Sequence, residues 1–68
     1  MANRQWIDFL FCDNDTGEEF LVELEMDGRT MDALLEEATL IAEDNFADPV
    51  FEEVVSAEDA EMMGLDTY

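Results

Sequence analysis

Two stretches of the chain have the hydrophobic patterning of strands, the first by its apolar, aromatic content and the second by a two-residue alternation. The run Arg4 to Cys12, R-Q-W-I-D-F-L-F-C, is rich in aromatic and β-branched residues. Glu19 to Met26 sets Phe20, Val22, Leu24 and Met26 against Glu19, Leu21, Glu23 and Glu25. Between them the turn formers Asp13, Asn14, Asp15, Thr16 and Gly17 predict a hairpin. Burial selects its register, because a slip of one residue sends a whole apolar set to the wrong face. Placing Ile7, Phe9 and Phe11 on one face with Phe20, Val22 and Leu24 pairs Phe11 with Phe20, Phe9 with Val22 and Ile7 with Leu24, and leaves Asn14 to Gly17 as the loop. The other face then sets Leu10 opposite Leu21, Trp6 opposite Glu25 and Asp8 opposite Glu23, the last a like-charged pair that costs stability.

After Asp27-Gly28 the period changes. Thr30 predicts an N-cap for a helix from Met31 to about Phe46, with Met31, Leu34, Leu35, Ala38, Ile41, Ala42 and Phe46 on one stripe. The far side carries Asp32, Glu36 and Glu43, flanked by Glu37 and Asp44, and only Thr39 and Leu40 interrupt it. Asp48-Pro49 punctuates the chain, and Val50 to Val55 reads as a third strand. Its alternation is poor, since regular pleating points Glu52 and Glu53 to opposite faces; a bulge or an edge position would resolve this. Ser56-Ala57-Glu58-Asp59 resembles a capping box opening a short helix closed by Gly64, with Met62-Met63 pinning it to the sheet. Met26 and Met31 are expected in the core. The order predicts one α+β domain over residues 1–68: a small antiparallel three-stranded sheet with one main helix packed on one face, β-β-α-β plus a short C-terminal helix. The second sheet face is expected to stand open, showing Trp6, Asp8, Leu10, Leu21, Glu23 and Glu25.

Charge constrains the function more than any motif does. Twenty Asp and Glu stand against Arg4 and Arg29, with no Lys or His, for a formal net charge of −18. Solubility asks for a magnitude of only about 2 to 8 in a small domain, and the excess destabilises the compact state by self-repulsion. A core this small seldom supplies more than about 3 to 5 kcal/mol, so the repulsion falls on thin reserves. Yet nearly half the residues are apolar, which separates the chain from disordered acidic tails. Direct binding to nucleic acid or an anionic membrane is disfavoured, because both need basic groups facing phosphate. The complementary partner is a basic surface. The single Cys12 cannot make an internal disulfide, and the start Met-Ala-Asn-Arg lacks a signal peptide's apolar segment, so a cytoplasmic setting is expected.

Candidate chemistries fare poorly. A calcium loop starting at Asp13 needs Gly at its sixth position and Glu at its twelfth, where the chain has Glu18 and Leu24, so a hairpin turn is the better reading. No spacing singles out one acid pair for general acid and base work, and His, the usual proton shuttle, is missing. Cys12 has no His to activate it and reads as a packing residue. No catalytic residue, metal or cofactor is expected, and the protein is not expected to be an enzyme. Trp6 supports two readings, an interface anchor on the open face or packing against the C-terminal segment.

An ordinary solvated helix face interleaves Glu with Lys. Here Asp32 and Glu36 repel at i,i+4 without relief, and Asp8 with Glu23 repeats the pattern on the sheet. Same-face neighbours on a strand lie about 6.6 to 6.8 Å apart and i,i+4 helix neighbours roughly 6 Å apart, intervals comparable to those between phosphates on a nucleic-acid strand. The expected partner-binding set is Asp8, Glu23, Glu25, Asp32, Glu36, Glu37, Glu43 and Asp44, with Trp6 and Leu40 as apolar anchors. In size, acidity and mixed α/β content the chain resembles, as a class, the small acidic DNA-mimic inhibitors of phages and mobile elements, of anti-CRISPR and anti-restriction type. The resemblance implies blockage of a host defence protein at its DNA- or PAM-binding site, a CRISPR effector or restriction enzyme being the partner and the host cytoplasm the setting. An acidic antitoxin or regulatory subunit masking a basic partner, and a halophile-adapted domain, are the alternatives. The expected open sheet face would also suit a homodimer.

Overall fold

A computed structural model describes residues 5–68, so the expected extension of the first strand to Arg4 lies outside the described residues. β1 (Trp6–Asp13) and β2 (Glu19–Glu25) form the hairpin. Its register is the one burial demands, with Phe11 opposite Phe20, Phe9 opposite Val22, Ile7 opposite Leu24, Leu10 opposite Leu21 and Asp8 opposite Glu23. The turn is organised by Asp13, whose buried carboxylate accepts hydrogen bonds from the Asp15 and Asp48 backbone N–H groups and the Thr16 hydroxyl. One side chain thereby ties the hairpin to the loop 35 residues away in sequence.

Asp27 and Gly28 both have positive φ (46° and 71°), and the Arg29 N–H donates to the Met26 carbonyl, so the chain reverses in a tight turn of the kind Asp-Gly favours. α1 (Met31–Asn45) follows, with the Thr30 hydroxyl accepting from the Ala33 N–H at 3.2 Å. It buries Leu34, Ala38 and Ala42 against Ile7, Phe9, Phe11, Phe20, Val22 and Leu24, the main core. Met31, expected there, is instead 45 % exposed: it is the first residue of α1, and burial along the helix begins at Leu34. The helix stops at Phe46, which turns extended and stacks on Phe20 with ring centroids 3.9 Å apart.

β3 (Pro49–Val55) pairs antiparallel with β1, giving the sheet order β2-β1-β3. Both proposed resolutions of its poor alternation occur: it is an edge strand, and its register shifts between Leu10 and Phe11. The shift has a packing consequence. Phe51 joins the core under α1 while Val55, four residues on, joins the cluster on the opposite face with Leu10 and Leu21. Regular pleating would have put both on one side.

That opposite face is not open as expected. α2 (Ala57–Met63) lies across it, capped by the Ser56 hydroxyl and closed by Gly64 in the left-handed conformation (φ 64°). Leu10, Leu21 and Val55 are buried beneath Ala60 and Leu65. Met62 (85 % exposed) and Met63 point away, so Ala60 and Leu65, not the methionine pair, pin α2 to the sheet. The segment after Gly64 adds a short parallel run to the free edge of β2. The Leu21 N–H donates to the Asp66 carbonyl, the Tyr68 N–H to the Leu21 carbonyl, and the Glu23 N–H to the Tyr68 carbonyl. Tyr68 packs edge-on against Phe20 and Phe46.

Candidate partner-binding surface

The sheet presents two faces of opposite character. Even-numbered positions of β1, and their partners Glu19, Leu21, Glu23 and Glu25 on β2, belong to the face that α2 only partly covers. At one end of this face Cys12 sits opposite Glu19, with Val50 of β3 on its other side. The bulge brings Glu52 round to the same end, next to Glu53, which opposes the neighbouring residue Leu10. Glu52 is held protonated more readily than an ordinary Glu, first because its carboxyl shares a proton with Glu19, then through partial desolvation and the charges of Glu19 and Glu53. Burial, followed by the charges of Glu52, Glu19 and Asp13, pushes the Cys12 thiol up, which disfavours the reactive thiolate. Glu19, Glu52 and Glu53 are exposed and form an acidic group absent from the expected set. Only the bulge unites them, and a strict two-residue period separates Glu52 from Glu53.

At the other end the like-charged pair expected from the register is present, with Asp8 opposite Glu23. Asp8 was expected on an open surface and is instead 1 % exposed, because α2 and the segment after it close over that part of the sheet. Its Oδ2 has no hydrogen-bond partner. Desolvation, the charge of Glu23 and a proton shared with Glu23 raise the Asp8 pKa from 3.8 to about 6. Glu23 is exposed, Glu25 half-buried, and Trp6 opposite Glu25 is 47 % exposed. Packing on this face runs through Leu65 and Ala60, which leaves the indole accessible.

The helix row is on the other side of the molecule, since α1 covers the opposite sheet face. Asp32, Glu36, Glu43 and Asp44 are exposed there, with Leu40 (59 % exposed) among them. Glu37 is engaged otherwise: its carboxylate accepts from the Arg29 guanidinium at 2.9 Å, while the same guanidinium donates to the Glu25 carbonyl at 3.0 Å. This is the one ion pair among the described residues. The two acidic rows are thus back to back, and a single flat groove meets one of them at a time.

Among the described residues no group of three or more His, Cys, Asp or Glu closes into a metal-ligating cluster. The Asp13 carboxylate that a calcium loop would use is spent on backbone N–H groups and a hydroxyl. Among the described residues no helix is long and apolar enough to cross a membrane. Comparison with family models, with curated proteins and with solved structures returns no significant match.

Proposed function

We propose that the protein is a DNA-mimic inhibitor that binds the nucleic-acid-binding surface of a host defence protein or complex and works without catalysis. The observation that carries this reading is acid set against acid on the same sheet face, Asp8 directly opposite Glu23 in the strand register and the Glu52 carboxyl against that of Glu19. Such contacts oppose folding, and a neighbouring Lys or Arg would relieve them. The described part of this face offers none, since Arg29 is committed to Glu37 and the Glu25 carbonyl. An incoming cationic groove supplies the missing countercharge, so the repulsion held in the free protein becomes attraction in the complex. The half-exposed Trp6 beside Glu25 adds the apolar contact that charge alone lacks, given that exposed ion pairs contribute only about 0 to 1 kcal/mol each. The raised Cys12 thiol and the commitment of Asp13 to the turn support a binding protein over an enzyme.

The α2-side face is the contact face in this reading. Its test is a pair of charge reversals on exposed positions, Glu52→Lys with Glu53→Lys on the sheet and Glu36→Lys with Glu43→Lys on α1. The readout is displacement of DNA from a host nucleic-acid-binding target. The sheet reversal is expected to weaken displacement by about tenfold or more, equivalent to roughly 1.4 kcal/mol, and the helix reversal to weaken it far less. Unchanged displacement by both folded variants contradicts the mimic. An acidic regulatory subunit that masks a basic partner having no nucleic-acid site would lose binding in the same variants without any DNA to displace.

A further inference from the structure

Between α2 and the sheet lies a cleft of about 380 Å³ with a charged floor and apolar walls. Asp8 and Glu23 line it from the sheet and Glu61 from α2, with Ala60, Leu65 and Thr67 among the other lining residues. Asp8 distinguishes this cleft from the protein's many acidic patches. The residue is 1 % exposed, its Oδ2 is out of solvent, and no donor reaches that oxygen. A buried carboxylate oxygen without a donor costs on the order of 1 to 3 kcal/mol or more, so the floor of the cleft is an acceptor waiting for a partner.

We infer that the cleft receives a single arginine side chain of the protein partner, its guanidinium bonded to Asp8 and bracketed by Glu23 and Glu61. The identity of the host rests on the mimic reading above; the cleft and its ligand chemistry do not. A guanidinium suits the site better than an ammonium, because its planar fork offers donors to several carboxylates at once and its weakly hydrated faces lie comfortably against Ala60 and Leu65. A divalent metal suits it less, since the carboxylates do not close into a ligand set. The site also explains how a surface with so little geometric distinction among its acids would select a register on a basic groove: one arginine enters, and the exposed rows align around it.

Occupation is coupled to a proton. The groups facing Asp8 are Glu23 from β2 and Glu61 from α2, with uncharged Val55 opposite on β3 and Thr67 from the C-terminal segment. Both charged neighbours are acids, and burial followed by the charge of Glu23 favours protonated Asp8 in the empty cleft. A guanidinium requires the carboxylate, so its binding strengthens as pH rises through about 6.

The test is NMR titration of the full chain with Nα-acetyl-arginine amide at constant ionic strength, with Nα-acetyl-lysine amide and Mg²⁺ as parallel arms. The expected result is saturable shifts centred on Asp8, Glu23, Glu61 and Leu65, fading below pH about 6 and at least about tenfold weaker in Asp8→Asn, a change of roughly 1.4 kcal/mol. Glu61→Gln, at an exposed position on the rim of the cleft, is expected to weaken the same shifts without threatening the fold. Shifts spread evenly over the α1 and sheet acids, shifts unchanged in both variants, or an equal response to the lysine amide or Mg²⁺ would each overturn the assignment. The two readings fail separately. A protein that takes the arginine amide in the cleft but displaces DNA from no host protein contradicts mimicry alone. Full-strength displacement of DNA by Asp8→Asn and Glu61→Gln contradicts the cleft assignment alone.

Discussion

Asp8 gives the fold a pH dependence of its own. Its carboxyl is covered by α2 and faces Glu23, which raises its pKa in the folded chain to about 6 from 3.8. A carboxyl with a raised folded pKa binds its proton more tightly folded than unfolded, so its contribution to stability is complete below pH about 4 and is lost as pH rises through about 6. The protein is therefore expected to be more stable at pH about 4.5 than at pH about 7.5, opposite to ordinary acid denaturation. Asp8→Asn keeps the shape, lets an amide N–H donate to Glu23, and removes the charge. Urea unfolding at pH about 7.5 should show a gain on the order of 2 kcal/mol, with most of that gain gone at pH about 4.5. Equal stability of the two proteins at both pH values would mean that Asp8 is hydrated and unperturbed. The pairing of Asp8 with Glu23 was legible in the sequence, because burial of the phenylalanines on one face leaves one register. The burial of Asp8 was not: it depends on α2 folding back over the sheet, and no periodicity within β1 encodes which later element covers it.

β3 shows how one extra residue redistributes a strand between two layers. The poor alternation of Val50 to Val55 marked a bulge or an edge, and the strand has both, but alternation could not place the bulge or say which acids it would gather. With Glu52 as the inserted residue, Phe51 still faces α1 and Val55 still faces α2. Deleting Glu52 is accordingly expected to leave every remaining side chain on its present face and stability within about 1 kcal/mol of the parent. Deleting Val54 shifts Val55 out of the α2-side cluster and should cost about 1.5 to 3 kcal/mol from that side chain alone. Thermal unfolding of the two deletions separates the cases, and the reverse order of stability would place the bulge elsewhere. The boundaries of α1 were legible because Thr30 and the apolar stripe are local signals, as was the closure of α2 by Gly64. The parallel pairing of Asp66 and Tyr68 with β2 had no such signal, since a four-residue segment is too short to show a period. The misassigned methionines have the same origin: Met62 and Met63 lie at the end of a seven-residue helix whose buried side is set by Ala60 and by Leu65 beyond the cap.

Taken whole, the molecule is a thin acidic sandwich with a net charge of −18, in which two carboxyl pairs, Asp8 with Glu23 and Glu52 with Glu19, lie on the α2-side face. The expected helix row of Asp32, Glu36, Glu43 and Asp44 is present, but it lies behind that face, while Glu37 is neutralised by Arg29. Charge of one sign is visible in any composition; its division between two opposed surfaces follows from α1 packing on one side of the sheet only. Contact with a basic partner through this face would be fast at low ionic strength and weaken with salt, as electrostatically steered association does. On the function proposed above, these carboxylates occupy a partner site that otherwise holds a polyanion. Its most direct test is equilibrium competition, in which binding of the labelled protein to its host target is measured against increasing unlabelled duplex DNA. Mutually exclusive binding is predicted, with the apparent dissociation constant of the protein rising in direct proportion to DNA once the target is saturated. A ternary complex, or an apparent dissociation constant indifferent to DNA, would contradict it.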